Sequence, residues 1–295
     1  MRVLIVGCGY VGAKVGEVVA RQGHEVFGVR RSATANPELA ALGIEPINVD
    51  IAAPNALDRA PGPFDWVVFC AAASGPTVED YRRIYLDGAL RLTQWLRSQP
   101  LAKLVYTSST GVYGQSDGSE VDESSPAAPG TPTGEVLLEA EQIFLNAARH
   151  DSLPAVVLRV AGIYGPGRGF WLKQFLAGEA RLEGVGRRIL NMIHRDDVAG
   201  AVIAALQKGA PGEIYNAVDN EPVTQATVFE WLARTLGQPI PSAVSEDPPS
   251  GRRRGLTNKR VSNRKLREAT GWTPLFPSFR EGFLAELQRL GVLQT

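Results

Sequence analysis

The stretch RVLIVGCGYVG, residues 2–12, decides how this chain folds. Its first part, RVLIV, is a short, nearly continuous apolar run, the pattern of a strand buried on both faces. Gly7, Gly9 and Gly12 follow directly in the spacing GxGxxG. A helical pattern comes next, with Val11, Val15, Val18 and Val19 sharing one face and Gly23 as the stop. Strand, glycine turn and helix in this order make a dinucleotide-binding fingerprint. The first glycine permits a tight turn, the second lets backbone approach a pyrophosphate, and the third lets helix and strand pack closely. The helix start offers free N–H groups and a positive dipole end to the phosphates. The competing reading is a glycine-rich turn with no ligand.

Working outward, further apolar runs read as strands: EVFGV (25–29), EPINV (45–49), WVVFC (66–70), KLVYT (103–107) and AVVLRV (155–160). Helical patterns lie between them, including a long one, VEDYRRIYLDGALRLTQWLRSQP, closed by Pro100. This alternation predicts an α/β, Rossmann-type doubly wound parallel sheet with helices on both faces. The second half changes texture. YGPGRGFW (164–171) reads as a loop, 196–209 as a helix, EIYNAV (213–218) as a strand, 224–237 as a helix and SEDPPSGRRRG (245–255) as a loop. The expected organisation is a sheet domain over 1–165 and a smaller C-terminal substrate cap over 166–295. Segments at about 190–220 are expected to return to the sheet domain.

The 295 residues are 44% hydrophobic, enough for a sizeable core. Basic and acidic residues balance to a formal net charge of zero, which argues against a general nucleic-acid binder. No apolar run reaches the ~18 residues that a membrane span needs. The two cysteines, Cys8 and Cys70, make no disulfide framework and read as small residues packed at strand ends. The expected compartment is the cytoplasm. Histidines and cysteines are too few and too scattered to suggest a metal site.

The end of the second strand bears on cofactor choice. An NAD site places an acid there for the ribose 2′-hydroxyl. This chain has Arg30, Arg31 and Ser32 instead, two guanidinium groups and a hydroxyl suited to a 2′-phosphate. NADP is therefore expected over NAD, against the plain alternative that the arginines are merely solvated. Asp50 and Ile51 end the third strand, where an adenine edge would lie. Cys70, Ala71, Ala72 and Ala73 end the fourth, and small residues there leave room for ribose and phosphate, although packing alone also accounts for them. Tyr10 and Val11 in the glycine motif, and Thr107 and Ser108 at the end of the fifth strand, complete the expected cofactor site.

Six segments carry a resemblance: GCGYVG (7–12), FCAAA (69–73), YTSSTGVYG (106–114), LRVAGIYGPG (158–167), IHRDDVAGA (193–201) and NKRVSNRKLREATGW (258–272). The chain resembles the extended short-chain dehydrogenase/reductases, the nucleotide-sugar epimerases and dehydratases. That resemblance implies hydride exchange between a nicotinamide and a sugar carbon. It implies a tyrosine as acid or base, and a lysine four residues later that lowers the tyrosine pKa. A phenol near pKa 10 needs such a cation to act near neutrality. Ser109 falls on the family's Ser/Thr position.

The tyrosine and lysine are missing. Their positions fall on Thr133 and Leu137, and no Tyr lies between Tyr113 and Tyr164, nor any Lys between Lys103 and Lys173. In the family's Y-x-x-x-N-x-x-G run the asparagine position holds Tyr85. The chain thus reads as an atypical member. Ser109, Thr133, Tyr113 and Tyr164 are the residues left as catalytic candidates, although Tyr113 and Tyr164, on loops at the sheet's carboxyl edge, also read as structural rings with bonded hydroxyls. His194, Asp196 and Asp197 read as structural, the two acids starting a helix. Arg168, Arg187, Arg188, Arg253 and Arg254 are expected to flank the cap cleft and meet an anionic or sugar-like small molecule. By resemblance, Arg253 or Arg254 is the diphosphate contact, although the family's nearby aspartate is Leu256 here and the basic run RRRGLTNKRVSNRK (252–265) reads equally as a solvated loop. Two functions stay open: an NADP-dependent oxidoreductase or epimerase-like enzyme with a non-standard proton donor, and a non-catalytic NADP(H)-binding redox sensor. By analogy a homodimer would pair helices at about 79–98 and 134–149.

Overall fold

The computed structural model describes residues 1–58, 60–183, 185–244 and 257–293. Seven strands form one parallel sheet: β1 (Arg2–Val6), β2 (Glu25–Arg30), β3 (Ile44–Asn48), β4 (Trp66–Phe69), β5 (Lys103–Ser109), β6 (Ala155–Val160) and β7 (Ile214–Ala217). Their order is β7-β6-β5-β4-β1-β2-β3, so the winding reverses beside β1. That reversal opens a crevice at the carboxyl ends of the strands, where doubly wound folds bind ligands.

The two-residue period of β1 separates two cores. Val3 and Ile5 join one buried cluster, and Leu4 and Val6 join the other. On the first face lie α1 (Tyr10–Arg21) and α4 (Arg195–Lys208), through Val15, Val19, Val198 and Val202. On the second lie α2 (Gly88–Leu96) and α3 (Pro132–His150), through Leu92, Leu96, Ala140 and Phe144. The central strands were legible because runs buried on both faces are mostly apolar, whereas the edge strand β3 is only partly buried.

A third cluster sits apart from the sheet. It joins Tyr164, Phe175, Leu190, Val228, Phe229, Phe279 and Phe283, drawing on α5 (Gln225–Leu236) and α6 (Phe279–Arg289). One local expectation changes here. The predicted loop 164–171 is bounded by structure, since Gly162–Tyr164 is a strand and Phe170 opens the helix Phe170–Leu176. Gly162–Tyr164 pairs in parallel with Met192–His194, a pairing invisible in so short a run.

Beneath the sheet's carboxyl edge lies a buried ion pair. Arg159 of β6 donates from Nη2 to Glu141 of α3 at 2.7 Å and from Nε at 3.0 Å. Ser108 Oγ donates to the same carboxylate at 2.6 Å. Arg159 also lies over the Tyr113 ring, 4.8 Å from its centroid. Burial alone would lower the guanidinium pKa, yet the Glu141 carboxylate holds it above its ordinary value.

Candidate active site and cofactor cleft

The glycine turn shapes the crevice floor. Gly7 has φ +93°, and a Cβ on it would collide with the Ala71 backbone. A Cβ on Gly12 would stand 2.6 Å from Gly7 O and 2.9 Å from Cys70 Sγ. Gly9 differs: its Cβ would meet nothing nearer than Gly7 O at 3.9 Å, so its open side faces the crevice. No side chain caps the start of α1. Its first-turn N–H groups therefore stay available to an anion.

The crevice encloses about 720 Å³ and runs from Arg30, Arg31 and Ser32 past the glycines to Ser109 and Leu137. Of the expected cofactor residues, Gly7, Gly9, Tyr10, Val11, Asp50, Ile51, Cys70, Ala71, Ala72, Thr107 and Ser108 line it. Gly12 packs beneath it and Ala73 does not line it. Asp50 is ion-paired to Arg83, so the basic end carries no unpaired acid from β3. Cys8 and Cys70 are free thiols, and burial pushes Cys8 up to about 12. Sequence reasoning gave no cofactor-site role to Tyr81, Ile84 and Tyr85, which also line the crevice. The Arg82–Asp87 segment is a π-helix, and such bulges frequently mark functional sites. The tyrosine in place of an asparagine at position 85 was the available signal.

A second cavity of about 250 Å³ adjoins the first, and Thr110, Gly162 and Ile163 line both. Trp171, Arg188, Asn191 and Lys259 form its far side.

The catalytic candidates separate by position. Ser109 lines the crevice, and its Oγ accepts from Gly111 N at 3.0 Å. Thr133 lines neither cavity; it lies in the first turn of α3, its Oγ1 3.4 Å from Thr131 Oγ1. Tyr113 is fully buried and donates from Oη to Asn216 Oδ1 at 2.9 Å. Tyr164 borders the second cavity, but its buried hydroxyl donates to Ser278 O at 3.4 Å. Burial raises both phenols above their ordinary pKa. Tyr113 follows the short turn after β5 and Tyr164 ends the strand Gly162–Tyr164, both with their hydroxyls bonded inside the core. His194 is buried, accepts from Asp196 N at 3.2 Å and caps α4. Asp197 accepts from Leu275 N and Phe276 N, tying α4 to the late chain, and burial lifts its carboxyl to about 6.

The arginines divide as well. Arg168 was expected at the cap; it lines the larger crevice instead, over the Tyr10 ring at 5.4 Å. A bridge between Gly165 and Arg168 turns the chain back towards α1. Arg188 lines the second cavity, whereas Arg187 is exposed and lines neither. Arg253 and Arg254 lie outside the described residues. Among the described residues, no group of three His, Cys, Asp or Glu side chains is placed to hold a metal ion, and no helix is long and apolar enough to cross a membrane.

A reversed parallel sheet, a glycine cradle at a helix start and a crevice at the strand ends define a dinucleotide-binding fold of the short-chain dehydrogenase/reductase type. Residues 3–217 match the model of the NAD dependent epimerase/dehydratase family, and the chain belongs to that family. It is 26% identical to the 3-diazoavenalumate denitrifying reductase of Streptomyces sp, over 96% of this chain and 99% of that one. It is 27% identical to the UDP-glucose 4-epimerase of Corynebacterium glutamicum, over 93% of this chain and 91% of that one. The UDP-glucuronic acid 4-epimerase of Bacillus cereus, solved with UDP-glucuronic acid and NAD, has the same fold, with a TM-score of 0.81 at 20% identity over 99% of both chains.

Proposed function

We propose that this chain is an NADP-dependent oxidoreductase or epimerase-like enzyme acting on a small, anionic or sugar-like carbonyl or alcohol compound. The observation that carries the reading is the crevice itself, in which a glycine cradle joins a basic end to Ser109. In this reading the α1 amides and Arg168 hold the pyrophosphate, and Arg30, Arg31 and Ser32 hold the 2′-phosphate. Bound nicotinamide supplies or takes the hydride. Ser109 orients the reacting oxygen, and the usual Tyr–Lys pair is replaced by Thr133 and Leu137. The relatives support this class, since one is a reductase and another an epimerase. The enzyme is cytoplasmic and pairs as a homodimer through α2 and α3, where Leu90 is exposed.

The cofactor preference is tested by Arg30→Ala. Loss of one charge-assisted contact costs about 1.5–3 kcal/mol, or roughly ten- to a hundredfold in affinity. NADPH is expected to weaken by that factor in a fluorescence titration while NADH changes little. Equal weakening of both would contradict this placement of the 2′-phosphate.

Leu137 on the crevice wall favours one second reading, a non-catalytic NADP(H)-binding sensor. The pair Thr133→Tyr with Leu137→Lys separates the two. Gain of NADPH oxidation with simple aldehydes and ketones would show an otherwise intact reaction centre. Tight NADPH binding without turnover, in the variant and in the natural chain over a broad carbonyl panel, would favour the sensor.

A further inference from the structure

The second cavity holds a cation, Lys259, that is ion-paired to no acid among the described residues. Lys259 is 4% exposed, and its ammonium donates to Tyr113 O at 2.8 Å and Thr257 Oγ1 at 3.0 Å. Both acceptors are neutral, and among the described residues no carboxylate pairs with it. An ammonium has three donors, so one remains. A buried charge without a counter-ion is costly and persists where something offsets it. The backbone around it is held rigidly. Asn191 donates to Lys259 O at 3.0 Å and accepts from Val261 N at 2.8 Å, while Asn258 accepts from Ile189 N at 2.9 Å.

A second cation shares the cavity. Arg188 donates from Nη1 to Glu183 at 3.1 Å, but its buried Nε has no hydrogen-bond partner. Arg188 lies over the Trp171 ring at 5.8 Å, and Phe170, Leu190 and Met192 supply apolar wall nearby. Burial and then the Arg188 charge bring the Lys259 ammonium down to about 8, so it is still mostly charged at neutral pH.

We infer that the second cavity is a carboxylate-binding substrate site, in which Lys259 and Arg188 grip the acid group and Trp171 flanks an apolar body. The inference rests on the reading of the adjoining crevice as the cofactor site, because Thr110, Gly162 and Ile163 line both. A carboxylate matches the buried donors left over, the third N–H of Lys259 and the Nε–H of Arg188. A cavity of about 250 Å³ is smaller than those that usually enclose drug-sized ligands, which suits a compact acid.

The test pairs acids with their neutral amides on the full chain: benzoate with benzamide, phenylacetate with phenylacetamide, phenylglyoxylate with phenylglyoxylamide. Inorganic phosphate is run alongside. Tryptophan fluorescence and thermal shift read binding, and NADPH fluorescence is titrated separately. At least one acid is expected to bind about tenfold or more tighter than its amide. Lys259→Met and Arg188→Gln are each expected to remove that preference with NADPH affinity intact. Acids and amides binding alike, no acid binding, or preference retained in both variants would overturn the inference. Phosphate binding tighter than every carboxylate would overturn the carboxylate assignment. Should Lys259→Met fail to fold, Arg188→Gln decides the matter. Acid preference in a natural chain that binds no NADPH would sink the cofactor reading and overturn the substrate role, leaving only a carboxylate-binding cavity.

Discussion

Gly9→Asp is expected to abolish NADPH binding in a chain that still folds. A Cβ on Gly9 meets no atom closer than 3.9 Å. The new side chain therefore has open space on the crevice side. Its carboxylate would stand where the dinucleotide's pyrophosphate approaches the start of α1. Like charges set against each other cost several kcal/mol, so affinity should fall by more than about a hundredfold. The melting temperature of the free protein should hardly move. Gly7→Ala offers the contrast, because its positive φ and collision with Ala71 should damage fold and binding together. Titration of Gly9→Asp with NADPH, beside a thermal melt, settles the point. Retained affinity would remove the glycine cradle from the cofactor site.

The second large effect concerns stability. Glu141→Leu is expected to cost about 3–5 kcal/mol, the usual penalty for stripping one partner from a buried pair. Arg159 would keep its charge with side-chain exposure of only 4%. Ser108 would lose its acceptor in the same stroke. Adding Arg159→Met should recover most of the loss, since the paired change leaves no orphaned charge. Urea midpoints of the two variants measure both effects. A single variant as stable as the natural chain would show that Arg159 finds another partner.

The sheet was legible because its evidence is local. Strands buried on both faces appear as unbroken apolar runs, and the glycine spacing carries its own steric reason. The crevice followed from that motif, since Arg30 and Ser109 end strands and Asp50 and Cys70 lie just past the ends of β3 and β4. What escaped reading depends on distant contacts. Lys259 lies in the basic run NKRVSNRK, which looks solvated, yet the side chains of Asn191 and Asn258 anchor that run inside the protein. Arg168 seemed to belong to the cap because it follows a glycine-rich segment. The bridge from Gly165 to Arg168 reverses the chain and brings the guanidinium over Tyr10. Tyr113 and Tyr164, on loops at the carboxyl edge of the sheet, read either as rings with bonded hydroxyls or as groups reaching the pocket. Only the structure shows Asn216 and Ser278 O accepting their hydroxyls.

The seventh strand has a consequence for protein engineering. β7 enters the sheet late, with Ile214–Ala217 in register with Val157–Val160 of β6. Asn216 within it receives Tyr113 Oη, bonds Glu123 through its backbone N–H and donates to Ser262 O. Three stretches of chain are thus tied together at one residue. A chimaera built with a single crossover near residue 165 would inherit an edge strand cut for a different neighbour. Exchanging specificity between relatives calls for paired junctions that leave β6, β7 and the 257–263 segment from the same parent.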